Sequence, residues 1–134
     1  MSIFSFFRKK QFPGIVVAKV IKVEKHPNAD RLRIVSLSIG KKTIEPVVCG
    51  ASNFDIGDLV VLALPGAQIA QNIHSEAHEP FTLQKATIRG IESQGMLCAR
   101  FELGIGSMSD KPEIMILKNT AEVGSSFTKD MIKA

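Results

Sequence analysis

Tryptophan and tyrosine are absent from the 134 residues, and eight Phe supply all of the aromatic side chains. Proteins that coat single-stranded nucleic acid stack successive bases on aromatic rings, so that mode of binding is poorly supplied here. Cysteine is almost as scarce. Cys49 and Cys98 are isolated in sequence, which leaves neither a zinc ribbon nor a redox dithiol spelled out. Both stand in apolar surroundings, VVCGAS and MLCAR, where a buried thiol is the ordinary outcome, and a reduced, cytoplasmic protein is expected. No window approaches the roughly 18 apolar residues of a spanning helix. The opening MSIFSFFRKK puts its apolar residues before its basic ones, the reverse of a secretory signal, so neither export nor membrane insertion is expected. Also missing are a Ser-His-Asp order, a phosphate-cradling glycine loop and a catalytic pair of carboxylates. The chain alone is therefore expected to be no enzyme and to need no cofactor.

What is present is one domain's worth of chain, 45% hydrophobic, enough for a single core. Its net charge of +4 is unevenly spread. Residues 1–33 carry eight Lys or Arg against Glu24 and Asp30, a local +6, and the rest nets −2. A partner bearing phosphates would meet the first quarter.

The patterning is that of strands and turns. Val16, Ala18 and Val20 alternate, then the phase slips so that Ile21 and Val23 continue one position out of step. A slip of one residue is how a bulge reads in sequence, and a bulge bends the strand. A long, bent first strand that serves both halves of a small barrel characterises the OB-fold. Pro27 ends that strand, and Asn28-Ala29-Asp30 supplies turn chemistry. Arg31 to Ile39 reads as a second strand, Gly40-Lys41-Lys42 as a hairpin turn and Thr43 to Cys49 as its return. DLVVLAL at 58–64 is nearly all apolar and reads as a strand buried on both faces, closed by Pro65-Gly66. The polar stretch 68–82 has no clear period and reads as a loop. Strands are expected again at Leu83 to Ile88 and Met96 to Ala99, with one helical turn at Arg100 to Leu103 before Gly104. The expected fold is all-β: a five-stranded OB-fold Greek-key barrel with short helical turns and a long loop between the third and fourth core strands. The barrel domain is expected over 14–120, flanked by an apolar and basic tail at 1–13 and a C-terminal tail at 121–134.

Two stretches concentrate the polar chemistry. HPNADRL at 26–32 is a turn opened by His26-Pro27 and pinned by Asn28 and Asp30, with Lys25 before it and Arg31 and Arg33 after it: a preorganised basic corner. In IRGIESQGMLCARFELG at 88–104, Arg89 offers a planar fork suited to phosphate or a base edge. Gly90 and Gly95 permit unusual backbone angles or close approach of another backbone. His74 and His78, with Glu76 and Glu79 nearby, have a spacing that would suit a metal on a helix, but Pro80 and the missing helical period argue against one and no metal is expected.

These two stretches resemble the signatures of the tRNA-binding domain that bacterial phenylalanyl-tRNA synthetase carries near the start of its β subunit. VVCGASN at 47–53 and ALPGA at 63–67 extend the similarity, which covers about Phe12 to Leu117. The resemblance implies a non-catalytic module that binds structured tRNA along a basic groove. Its expected lining is Lys25, Arg31, Arg33, Arg89 and Arg100, with Asn28, Asn53 and Ser93 as neutral donors and Met96 along the cleft. Shape reading through phosphates and 2′-hydroxyls fits the low aromatic content. The sequence departs from the family at Ala99, where Ser is common, at Arg100-Phe101, in the longer 68–82 loop, and at SMSDKPE (107–113), which follows the usual acidic stretch only loosely.

The resemblance leaves open whether the chain is a standalone module that assists an aminoacyl-tRNA synthetase or the N-terminal piece of a phenylalanyl-tRNA synthetase β subunit. KVEKHPNADRL and AEVGSSF favour the latter, and the opening MSIFSFFRKK favours the former. A homodimer is a further expectation from standalone family members. Ile3, Phe4, Phe6 and Phe7 beside Arg8-Lys9-Lys10 raise a protein-interaction or membrane-peripheral role, although so short a segment would bind a membrane only weakly.

Overall fold

The computed structural model describes residues 12–107 and 113–133. The N-terminal Phe-rich stretch and most of SMSDKPE lie outside the described residues. Strand β1 (Ile15–Lys25) carries the phase slip anticipated from sequence. It pairs antiparallel with β2 (Arg33–Ser38), and the register jumps between Val20 and Lys22, from Val20 opposite Leu37 to Lys22 opposite Ser36. Ile21 is the extra residue, and it is exposed. The bulge lets one strand serve two neighbours. Its second half lies on β2, while Ile15 to Lys19 pair with β4 (Leu59–Ala63).

Strand β3 (Thr43–Cys49) returns along β2 after the Gly40-Lys41-Lys42 turn. After β4 come β5 (Gln68–Ile69), β6 (Phe81–Thr82), β7 (Ala86–Ile88), β8 (Ile91–Ser93) and β9 (Met96–Leu97). The main sheet runs β3-β2-β1-β4-β9. One end, β3, meets the chain just ahead of the other end, β9, where the backbone N–H of Gln94 donates to Pro46 O at 2.8 Å and that of Val48 to Ser93 Oγ at 2.9 Å. The curled sheet is thereby drawn into the five-stranded barrel that the sequence predicts.

Both faces of β4 and of the first part of β1, Ile15 to Ala18, are buried, which is why DLVVLAL has no polar alternation. Ala18, Val20, Val35, Leu37, Val47, Val60, Leu62 and Leu97 fill the barrel. Ile15, Val17, Val61, Ala63, Cys98, Met115, Leu117 and Phe127 form a second apolar layer. The chain after residue 113 covers that layer. Leu117 N donates to Leu59 O and Phe127 N to Ile15 O, so this segment follows the edges that β4 and β1 leave open. Phe127 is 1% exposed, its ring 5.2 Å from that of Phe12. Part of the stretch read as a C-terminal tail is thus packed against the barrel. Burial pushes the thiol of Cys49 up, and that of Cys98 well up, from the usual range.

Two details differ from the sequence reading. The long polar loop falls between the fourth and fifth core strands, because 43–49 and 59–63 are both barrel strands ahead of it. Its ends also pair, Gln68 with Thr82 and Ile69 with Phe81. In addition, residues 86–93 form a hairpin, where the sequence suggests a strand followed by a loop. Among the described residues no helix is long and apolar enough to cross a membrane.

Candidate nucleic-acid interface

The connection between β1 and β2 is the HPNADRL stretch. His26 N donates to Leu32 O at 3.1 Å and Leu32 N to Ala29 O at 3.3 Å, closing the loop on itself. The residue that opens it is 1% exposed. His26 Nδ1 accepts the backbone N–H of Asn28 at 3.0 Å, and Nε2 lies 3.1 Å from Ile88 O. A carbonyl only accepts, so Nε2 carries the hydrogen and Nδ1 offers the lone pair. Asp30, beside Arg31 in sequence, faces the Lys25 ammonium at 3.7 Å. That pair is exposed to water and contributes little to stability.

The second stretch meets the first at this corner. Ile88 and Ile91 pair across a two-residue turn whose central residues, Arg89 and Gly90, have φ of 51° and 88°. Two positive φ values match the right-handed twist of a hairpin, and glycine is the usual second residue. Arginine in the left-handed region is unusual and needs support from its surroundings. Asn28 supplies it, donating from Nδ2 to Arg89 O at 3.2 Å. The backbone carbonyls of Ile88 and Arg89 are therefore both held by the first loop. Lys25, Arg31 and Arg89 are all exposed around this junction.

The remaining residues singled out in the sequence are distributed differently. Arg33 is half-buried and turns inward, donating from Nη2 to the carbonyls of Ala51 and Phe54 at 3.2 Å each. Asn53 pairs with the backbone of Ile114, Nδ2 to O at 2.9 Å and N to Oδ1 at 3.0 Å. Ser93 is buried and donates to Gly95 O at 2.9 Å while accepting from Val48. Met96 is half-buried against the outer apolar layer. Three neutral side chains expected to face a ligand thus have protein partners: Asn28, Asn53 and Ser93.

Arg100 is exposed on another element, as N-cap of a short helical turn, Phe101–Leu103, that Gly104 ends at φ 73°. The 68–82 loop is fastened to that turn, with Ala70 N and Gln71 N donating to Glu102 O and Gln71 Nε2 to Phe101 O. His78 packs edge-on against Phe101, the ring centroids 5.0 Å apart. Glu102 is 6% exposed, and Oε1 accepts the N–H of Ala99 at 2.9 Å. Burial raises its carboxyl above the usual range, and the Ala99 hydrogen bond opposes that shift.

The residues missed at the sequence level are His26, as a buried link, and Ile88, through its carbonyl. The signal for the former is a histidine placed between a strand end and a proline.

Comparison with known proteins identifies the family. A family described as "Putative tRNA binding domain" matches residues 15–126. The chain is 38% identical over 122 residues to the phenylalanine–tRNA ligase β subunit of Bdellovibrio bacteriovorus, covering 91% of this chain and 14% of that protein. It is 41% identical over 116 residues to that of Syntrophus aciditrophicus, covering 87% of this chain and 13% of the relative. Among solved structures, a MetRS related protein from Pyrococcus horikoshii superposes with a TM-score of 0.60 at 17% identity, over 96% of this chain and 97% of that one. That last likeness is one of fold.

Proposed function

The chain belongs to the putative tRNA-binding domain family, and from that membership we propose that it holds folded tRNA at the corner where the β1–β2 loop meets the β7–β8 hairpin. It is a binding module with no chemistry of its own. The observation that carries the placement is the exposure of Lys25, Arg31 and Arg89 around two loops tied together by Asn28 and His26. A rigid cationic corner suits phosphates on a folded RNA surface better than flexible single strands. Loops equivalent to these two are where barrels of this type bind oligonucleotides. Arg100 forms a second, separate contact point in this reading. Arg33, Asn28, Asn53 and Ser93 build the surface instead of touching the ligand, and Met96 packs beneath it.

A gel-shift titration with folded tRNA, the same tRNA unfolded and a single-stranded RNA of equal length tests the reading. Preference for the folded species is the expected result. Equal binding of all three would overturn shape recognition, and no binding of any would overturn the function.

The similarity to ligase β subunits favours a second layer of the proposal. The chain spans about 14% of the length of one such relative, and we place it as the tRNA-holding portion of, or accessory to, a phenylalanine-specific synthetase. The expected site of action is the cytoplasm, with an aminoacyl-tRNA synthetase as protein partner and a second copy of the chain as the alternative partner. Sequencing the reading frame beyond Ala134 separates fragment from standalone protein, and sedimentation at rising concentration tests the homodimer.

A further inference from the structure

We infer that His26 is a positioning residue for Arg89, so that the first sequence motif serves RNA binding through the second. The inference rests on the proposed tRNA-binding role of the corner. Its starting point is burial. At 1% exposure the imidazole has no surface to offer a ligand, and both of its nitrogens are engaged within the protein. One bond goes outward to the hairpin, at Ile88 O. The other orients Asn28, whose Nδ2 reaches the next carbonyl in the chain, Arg89 O. Two consecutive carbonyls at the hairpin tip are thereby fixed by two residues of one loop.

The tip requires such fixing. The hairpin has three residues per strand, and Ala86 and Thr87 are exposed, so little apolar burial holds it in place. Arg89 occupies the left-handed region at φ 51°, a conformation that non-glycine residues keep only where the surroundings impose it. The direction of its side chain follows from that backbone geometry. Releasing Ile88 O and Arg89 O frees the turn to relax, and the guanidinium then samples many orientations. A phosphate contact made by a preoriented arginine loses affinity when the arginine must be ordered on binding.

The test is a double-mutant cycle read by fluorescence anisotropy with folded tRNA, using wild type, His26→Ala, Arg89→Ala and the double variant. His26→Ala is expected to weaken binding about fivefold or more when Arg89 is present and less than about twofold when it is absent. Its salt slope is expected to fall toward that of Arg89→Ala, which a general loss of stability would not produce. Additive losses, or an Arg89→Ala variant that binds like wild type, would overturn the inference. Asn28→Ala removes an exposed side chain without opening the core, so it runs the same cycle should His26→Ala fail to fold. If wild type binds no tRNA, the failure belongs to the proposed function, and the tether is then read by amide hydrogen exchange at Arg89 to Ile91. Exchange unchanged in both His26→Ala and Asn28→Ala would sink it.

Discussion

Arg33 lays its guanidinium over the ring of Phe54, Cζ standing 4.2 Å from the ring centroid. The same side chain donates to Ala51 O and Phe54 O, so one cation organises the segment that follows β3. Phe54 itself is buried in the barrel core. Although Arg33 is one of the basic residues that make the first quarter of the chain cationic, its guanidinium is engaged by groups of the protein itself.

Replacing Arg33 with Ala is therefore expected to cost about 1–3 kcal/mol of stability, the range for losing a cation–π contact together with hydrogen bonds from a charged donor. Arg33→Lys should recover only part of it, because an ammonium lacks the planar fork. Urea unfolding measures both. A tenfold loss of tRNA affinity with stability intact would instead place Arg33 on the contact surface.

Arg31→Ala and Arg89→Ala remove exposed charges at the corner and should leave the unfolding midpoint nearly unchanged. Each is expected to weaken tRNA binding and to reduce the slope of log K against log salt by roughly 0.7–0.9 for every phosphate that is no longer neutralised. Filter binding across a salt series provides the slope. Wild-type affinity in both variants would contradict the assignment.

Gly95 has no room for a side chain. A Cβ there would come 2.8 Å from Ala63 O and 3.0 Å from Leu62 Cδ1. Gly95→Ala must push β9 from β4 and should destabilise by about 1–3 kcal/mol, as overpacked sites do. Thermal unfolding followed by circular dichroism tests this, and an unchanged midpoint would show that the strand pair yields more easily than its geometry implies.

Glu102 predicts an acid-side gain in its contribution to stability. Its folded-state carboxyl titrates above the unfolded value because burial disfavours the anion. Between the two values the folded state binds more protons, so this contribution is fully present below the unfolded value and lost as pH rises through the folded one. Glu102→Gln keeps an acceptor for Ala99 N and removes the buried charge. The variant should gain stability relative to wild type near pH 7, and the gap should close as pH falls toward about 4. Melting temperatures of both proteins across that range decide it, and a gap that widens on acidification would refute the assignment.

The elements legible in the sequence are those whose causes are local. The slip between Val20 and Ile21 is a bulge because side-chain phase is a property of consecutive residues. The run around Val60 to Leu62 reads as buried on both faces because no polar residue interrupts it, and Gly104 ends its helical turn through its own backbone freedom. The β7–β8 hairpin escapes notice because Arg89-Gly90 is not among the common turn pairs, and each of its strands is only three residues long. Packing of the chain's last part was equally hidden, since Phe127 is buried and bonded to Ile15 of β1, more than a hundred positions earlier in the chain.

The amino-acid order alone determined an all-β chain, a bent first strand, two loops rich in polar chemistry and a family likeness resting on both. Those properties depend on near neighbours and on composition. Which cations remain free was decided only by the tertiary structure. Arg33 and Arg31 are two residues apart, yet one turns into the 50s loop and the other faces water. Arg33 opens β2 while Arg31 still belongs to the loop before it, and the fold settles what lies across from each. His26 and Ile88, separated by sixty-two positions, meet because barrel closure brings them together, and no spacing rule along the chain encodes that contact.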